Sequence, residues 1–205
     1  MVGPCLNLKF RLPPQTAILS PLVTRDNAMN SAERTLTTVR RATGLTDAEL
    51  HGLALVLIDC VAGGASVSFM HPLSLPRALA FWRGIARDVE RGARALLIAE
   101  DDSGIIGTVQ VVLDQPENQP HRADISKMLV HRRARRRGVG EALMRAAEAE
   151  ARQSGKSLLL LDTASGDAER MYARLGWTLV GIVPDYALWP QGGLCPTSFY
   201  YRKLD

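Results

Sequence analysis

Residues 132–143 read RRARRRGVGEAL, five arginines in six positions followed at once by two glycines. The flanks decide how that run is used. RADISKMLVH at 122–131 reads as a strand, with Asp124, Ser126, Met128 and Val130 on one face and Ile125 and Leu129 on the other. From Gly138 the period becomes helical: Gly140, Leu143, Met144, Ala147 and Ala151 form one stripe, and Glu141, Arg145, Glu148 and Arg152 the other. The arginines therefore mark a strand-to-helix junction, where the first amides of a helix lack intrahelical partners and attract anions. Gly138 and Gly140 have no side chain to hold a diphosphate off those amides. Arg135, Arg136, Arg137, Gly138, Val139 and Gly140 thus form a candidate anion nest.

Outward from the junction, KSLLLLD (156–162) reads as a strand buried on both faces. Upstream, ALLIAE (95–100) and IIGTVQVVL (105–113) form a hairpin around DDSG. TDAE at 46–49 is a capping box. The helix it opens carries Leu50, Leu53, Ala54, Leu57, Ile58 and Val61 on one side and ends at Gly63-Gly64. A second helix spans about 74–90, and a short one about 167–175. TLVGIV (178–183) and TSFYYRKL (197–204) supply the last strands, with PDYALWPQGGLCP between them as a long loop. Residues 1–44, broken by Pro13-Pro14 and Pro21, read as an irregular extension, or as an edge strand at Leu6, Leu8 and Phe10. Residues 45–205 then form a single α/β domain whose mixed sheet is linked by crossover helices.

Composition narrows the partners. The net charge of +4 from 25 basic and 21 acidic residues is modest, and much of the excess lies in the arginine run. No aromatic residue falls between Arg132 and Arg152 to stack on bases, so nucleic acid is not expected, although a solvated basic face or an RNA patch remains the alternative use of the run. No apolar stretch is long enough to span a bilayer, and the N-terminal segment makes a poor signal peptide; the expected location is the cytoplasm. Cys5, Cys60 and Cys195 are unpaired in spacing, and the four histidines, His121 and His131 included, have no ligands at metal spacing.

The glycines are not followed by the lysine and hydroxyl residue of a Walker loop, and the third glycine of a dinucleotide fingerprint is missing. Arg-x-x-Gly-x-Gly, with KMLV before it, LLLLDT after its helix and AERMYARLGWTLVG further on, instead resembles the GCN5-related N-acetyltransferases (GNAT). HGLALVLIDCVAGGASVSFMHPLS, RALAFW and PDYALWPQGGLCPTSFYYRKL extend the likeness over about Leu45 to Leu204. They are similar to a member that acetylates an amino-acid-like β-lactam toxin.

The resemblance implies a GNAT-like, mostly antiparallel central sheet flanked by helices, with two adjacent strands splayed around acetyl-CoA. It places the pyrophosphate at 135–140 and the pantetheine arm against the main chain of Met128, Leu129 and Val130. It makes Tyr172 the acid for the departing thiolate and a carboxylate at Asp124 or Asp162 the route for the acceptor's proton. An alkyl amine with pKa near 10.4 is mostly protonated at pH 7, a handicap of about 4.6 kcal/mol that such a base offsets.

Each residue also has a plain structural use: Asp124 as a strand-start carboxylate, Asp162 as a cap for 163–166, Tyr172 as a core aromatic. Phe69, Trp82, Tyr186 and Trp189 line the acceptor side or, for the first two, the core. Neither Cys60 nor Cys195 has a histidine partner, so transfer is expected to be direct, to a small amine or amino-acid-like acceptor such as an antibiotic, by a monomer or homodimer. A non-catalytic acyl-CoA sensor and an acetyltransferase of protein amines are the alternatives.

Overall fold

The computed structural model describes residues 37–204; Cys5 and the alternative edge strand at Leu6, Leu8 and Phe10 lie outside them. The first helix, α1 (Asp47–Ala62), opens with the expected capping box: Thr46 Oγ1 accepts from the Glu49 amide at 3.2 Å and Glu49 Oε2 from the Thr46 amide at 2.8 Å. The second, α2 (Leu75–Glu90), holds Pro76 in its first turn, where no intrahelical donor is lost. The hairpin forms from β2 (Arg94–Asp101) and β3 (Gly104–Val112), followed by β4 (Arg122–Val130). A 3-10 turn at Arg132–Ala134 leads into α3 (Val139–Gln153), then β5 (Leu158–Thr163), α4 (Gly166–Arg174), β6 (Thr178–Leu188) and β7 (Leu194–Lys203).

Two segments differ from the sequence reading. Thr38–Ala42, expected to be irregular, forms β1 on the outer edge of β2, paired from Thr38↔Glu100 to Ala42↔Leu96. Five residues are too few to display a period, and the pairing is fixed from outside the segment: Arg40 bridges Glu49 of α1 at 2.6 Å and Glu100 of β2 at 2.8 Å. The long loop at 184–196 is mostly sheet. β6 continues through it to Leu188 and β7 begins at Leu194, leaving a short turn closed by the Trp189 amide on the Gly193 carbonyl at 2.9 Å. Pro184 is tolerated because β6 is an edge strand, and the register shift between Val183 and Ala187, with Asp185 at φ 55°, absorbs the interruption.

The seven strands run in the order β1-β2-β3-β4-β5-β7-β6. All neighbours are antiparallel except β4 and β5, which are parallel. Two buried clusters cover the two faces. Leu53, Leu57, Trp82, Leu96 and Ile98 pack α1 and α2 on one; Val109, Leu143, Met144, Leu159 and Tyr172 pack α3 and α4 on the other.

β4 contains a bulge, where Gly107↔Val130 and Thr108↔Leu129 give way to Gln110↔Ser126 and Lys127 takes φ 49°. The extra residue reverses the alternation. Ile125 therefore joins Met128 and Val130 against α3, while Leu129 belongs to the α1/α2 face, and the expected grouping of Asp124 and Ser126 with Met128 and Val130 fails at this point.

Candidate active site

β4 and β5 are paired only at Arg122↔Leu158, Ala123↔Leu159 and Asp124↔Leu160. Beyond that register β4 runs on to Val130 and β5 to Thr163 without pairing, so a gap opens between them toward their C-terminal ends. In a parallel-paired region this is the end at which ligands settle. The His131 amide bonds the Ile106 carbonyl at 2.8 Å, so antiparallel alternation turns the neighbouring Val130 main chain away from β3 and toward the gap. The Val130 carbonyl is occupied by Arg135 Nε at 3.2 Å and the Cys60 thiol at 3.6 Å, which leaves its N–H as the group facing the opening.

The arginine run lies at the same end. Arg132 donates to Asp59 at 2.8 Å, Arg133 to Asp101 at 3.0 and 2.9 Å, and Arg137 approaches Asp101 at 3.6 Å. Arg135 is spent on the Val130 carbonyl. Only Arg136 has no partner among the described residues, and it is exposed. The run is thus largely neutralised internally and serves first to shape the loop. Burial alone would raise the Asp101 carboxyl, but hydrogen bonds from Ser103 and Arg133 outweigh it and hold the group below the usual carboxylate range. The same balance, with Arg132 and His131 as the favourable neighbours, lowers Asp59.

The loop backbone is left-handed at Arg136 (φ 59°) and again at Gly138 (φ 81°), the N-cap of α3. No side chain caps α3, and a Cβ placed on Gly138 would meet nothing within 4 Å, so the start of the helix is uncovered at that residue. Gly140 has a packing role: a Cβ there would come within 3.1 Å of Met171 Sδ, with Met128 and Val130 at 3.8 Å. Its missing side chain lets α3 close on α4 and β4 at the gap, and Val139 is buried beneath the loop.

Tyr172 follows Met171 on α4. Its ring is 4% exposed and packs at 5.8 Å from Tyr200 and 6.0 Å from Trp177. Burial, then the charge of Asp162 and the neighbouring Tyr200, push its phenol well above the ordinary tyrosine range. Asp162 pairs with Phe199 across β7, next to the core residue Leu161, so strand alternation puts its side chain on the α1/α2 face. It is exposed and makes no hydrogen bond among the described residues. The cap for α4 comes instead from Ser165, which accepts from the Ala168 amide at 3.5 Å. Asp124, at the last paired register, is held by Arg122 and by Gln115 Nε2 at 3.3 Å.

Residues 65–177 match the acetyltransferase (GNAT) family model. The chain belongs to the GNAT acetyltransferase family. It is 32% identical over 127 residues, 61% of its length, to an uncharacterized N-acetyltransferase of the hisH-hisA intergenic region of Azospirillum brasilense, covering 74% of that protein.

The GNAT fold recurs in an N-acetyltransferase from Staphylococcus aureus Mu50 (TM-score 0.69, 16% identity, 83% of this chain and 100% of that one). It recurs also in a phosphinothricin acetyltransferase from Sinorhizobium meliloti solved with acetyl-CoA (TM-score 0.68, 19% identity, 82% and 88%).

Within this GNAT chain the α1–α2 loop and the β6–β7 turn are in contact. His71 N–H donates to the Pro190 carbonyl at 2.9 Å and Ser66 Oγ to the Leu188 carbonyl at 3.1 Å. Trp82 is fully buried in the core rather than at this rim. Phe69 is half-buried against Phe81 at 5.2 Å, and Tyr186 is exposed against Phe199 at 5.4 Å. Burial raises the Cys60 thiol, and no group of three metal-binding side chains occurs among the described residues. Lys127 and Ser68, 3.3 Å apart, also meet here. Sequence reading passed over both, and the only signal was a lysine inside an otherwise apolar KMLV. No helix among the described residues is long and apolar enough to cross a membrane.

Proposed function

We propose that this chain is an acetyl-CoA-dependent N-acetyltransferase that transfers the acetyl group directly to a small amine or amino-acid-like acceptor. The observation that carries the reading is the uncapped start of α3 at a left-handed Gly138, open to space beside the unpaired half of β4. A diphosphate fits that start through the amides of 138–140, with Arg136 the cation left over for a further phosphate. The Val130 N–H is placed to hold a pantetheine amide or the thioester carbonyl, with Met128 and Leu129 as the walls around it. The bound cofactor supplies the activated acetyl thioester.

Within that frame Asp162, free of internal bonds, takes the acceptor's proton directly or through water, while Asp124 with Arg122 fixes the point where β4 and β5 part. Tyr172 donates a hydrogen bond to the departing sulfur; burial keeps the phenol protonated, so its O–H is present for that contact. The raised Cys60 thiol speaks against a covalent acyl-cysteine. The likeness of 51–82 and 184–204 to the tabtoxin resistance protein supports an acceptor of the antibiotic or toxin kind.

The test is calorimetry with acetyl-CoA on the wild type and on Gly138→Asp, beside a thiol-release assay with an amine panel. Binding abolished in the variant, with thiol release by the wild type, is expected. Equal binding by both proteins would remove the nest, and binding without release would make the chain a sensor.

A further inference from the structure

Lys127 presents an unusual charge. Its side chain is half-buried, and its one hydrogen bond, from Nζ to Ser68 Oγ at 3.3 Å, goes to a neutral hydroxyl. No carboxylate forms an ion pair with it among the described residues. A cation removed from water normally keeps a counter-ion, because the lost hydration must be replaced. The nearest candidate is Asp162 across the gap, whose charge reaches Lys127 without an ion pair. Burial lowers the lysine's affinity for its proton, Asp162 opposes that, and Arg94 adds to it.

The surroundings repeat the imbalance. Arg94 and Gln110 lie on the same α1/α2 face, by alternation with the core residues Leu96, Val109 and Val111. Arg94 spends Nη1 on Gln110 Oε1 at 2.6 Å and Nη2 on Asp88 at 3.3 Å, yet Arg94 Nε and Gln110 Nε2 are buried donors without an acceptor, as is Trp82 Nε1 on this face. Every unmatched buried side-chain polar atom among the described residues is a nitrogen, and three of the four are on this face. The core beneath this face of the sheet has more donors than acceptors. The backbone adds a further sign: Lys127 (φ 49°) and Ser68 (φ 74°) are both left-handed without being glycine, a conformation retained where its surroundings impose it.

We propose that Lys127, assisted by Ser68, binds a carboxylate of the acceptor and so orients the acceptor's amine toward Asp162. The acceptor class is then an amino acid, or an amino-acid-like compound with a carboxylate close to the reacting nitrogen, in preference to a plain alkyl amine or a protein lysine. The proposal rests on the acetyltransferase reading and adds a specificity residue to it. A zwitterion would complete both unpaired charges at once, its carboxylate on the ammonium and its amine on the aspartate.

The experiment uses the full chain, acetyl-CoA and thiol release. Its probes are L-amino acids, each compared with its C-terminal amide and with its decarboxylated amine. The wild type is expected to favour the acid in kcat/KM by about 10- to 100-fold, the worth of one charge-assisted hydrogen bond. Lys127→Met should bring that ratio close to unity, chiefly through KM for the acid and with acetyl-CoA still bound in calorimetry. Lys127→Arg should restore part of the preference, and Ser68→Gly, which suits the positive φ, should lower it less.

Failure of the wild type to prefer the acid over its amide and its decarboxylated amine overturns the assignment. So does an equal fall for acids and amines in Lys127→Met, which would make the lysine structural. Absence of thiol release with every probe, from a protein that binds acetyl-CoA, overturns the transfer reading itself and the acceptor assignment with it.

Discussion

Tyr172 joins two demands that conflict elsewhere in proteins: it is packed between Trp177 and Tyr200 as a core side chain, and it lies within reach of the charge on Asp162 at the gap. Burial keeps the phenol neutral well past the ordinary tyrosine range, so on the proposed transfer reading its O–H stays available to the departing thiolate across working pH. Tyr172→Phe should retain acetyl-CoA binding and lose roughly 100-fold in turnover, the lower end of what a positioned acid contributes. In the wild type, the alkaline limb of the rate profile should not fall at the usual phenol value near 10. Unchanged turnover in the variant would leave the residue a core aromatic. The residue type and its motif were legible in the sequence, whereas the burial that tunes the phenol was not, because it depends on Tyr200 arriving from the last strand.

At the scale of elements, the loop is governed by contacts distant in sequence. Asp101, in the β2–β3 hairpin, anchors Arg133 and Arg137, and its carboxylate is almost fully enclosed. Its folded pKa is held below the ordinary value, so its contribution is complete above the usual carboxylate range and is lost as pH falls through the depressed value. Asp101→Asn should lower stability by about 1–3 kcal/mol at neutral pH, flatten the acid side of the stability profile and weaken acetyl-CoA binding, all readable by thermal melts and calorimetry. A melt unchanged at pH 7 would mean that the anchor carries no weight.

Gly107 offers a second check. A Cβ there would stand 2.9 Å from the Leu129 carbonyl and 3.0 Å from Leu143 Cδ1, so Gly107→Ala should push β3 away from the bulged half of β4 and cost about 1–3 kcal/mol in a denaturant titration. The sequence announced the strands and the arginine junction through period and turn chemistry. It could not announce the bulge, since one inserted residue leaves composition unchanged while reversing which of Ile125 and Leu129 faces α3.

For the whole molecule, the decisive feature is that one sheet is continuous along β1-β2-β3 and β5-β7-β6 yet joined through only three residue pairs between β4 and β5. Neither strand reads as defective alone, so the gap was invisible to periodicity and entered only through family resemblance. A ligand in the gap supplies partners to main-chain groups that the sheet leaves unmet, which predicts a local signature on top of a global one. Acetyl-CoA at about 100 times its Kd should stabilise the fold by about 2.7 kcal/mol, a rise in Tm of roughly 5–10 °C for a chain of this size. Amide exchange should slow most at Met128–Val130 and at the start of α3, while Arg122–Asp124, already paired with β5, should change only with global stability. Protection spread evenly over β4, or confined to the acceptor side, would place the cofactor elsewhere and detach the gap from the chemistry.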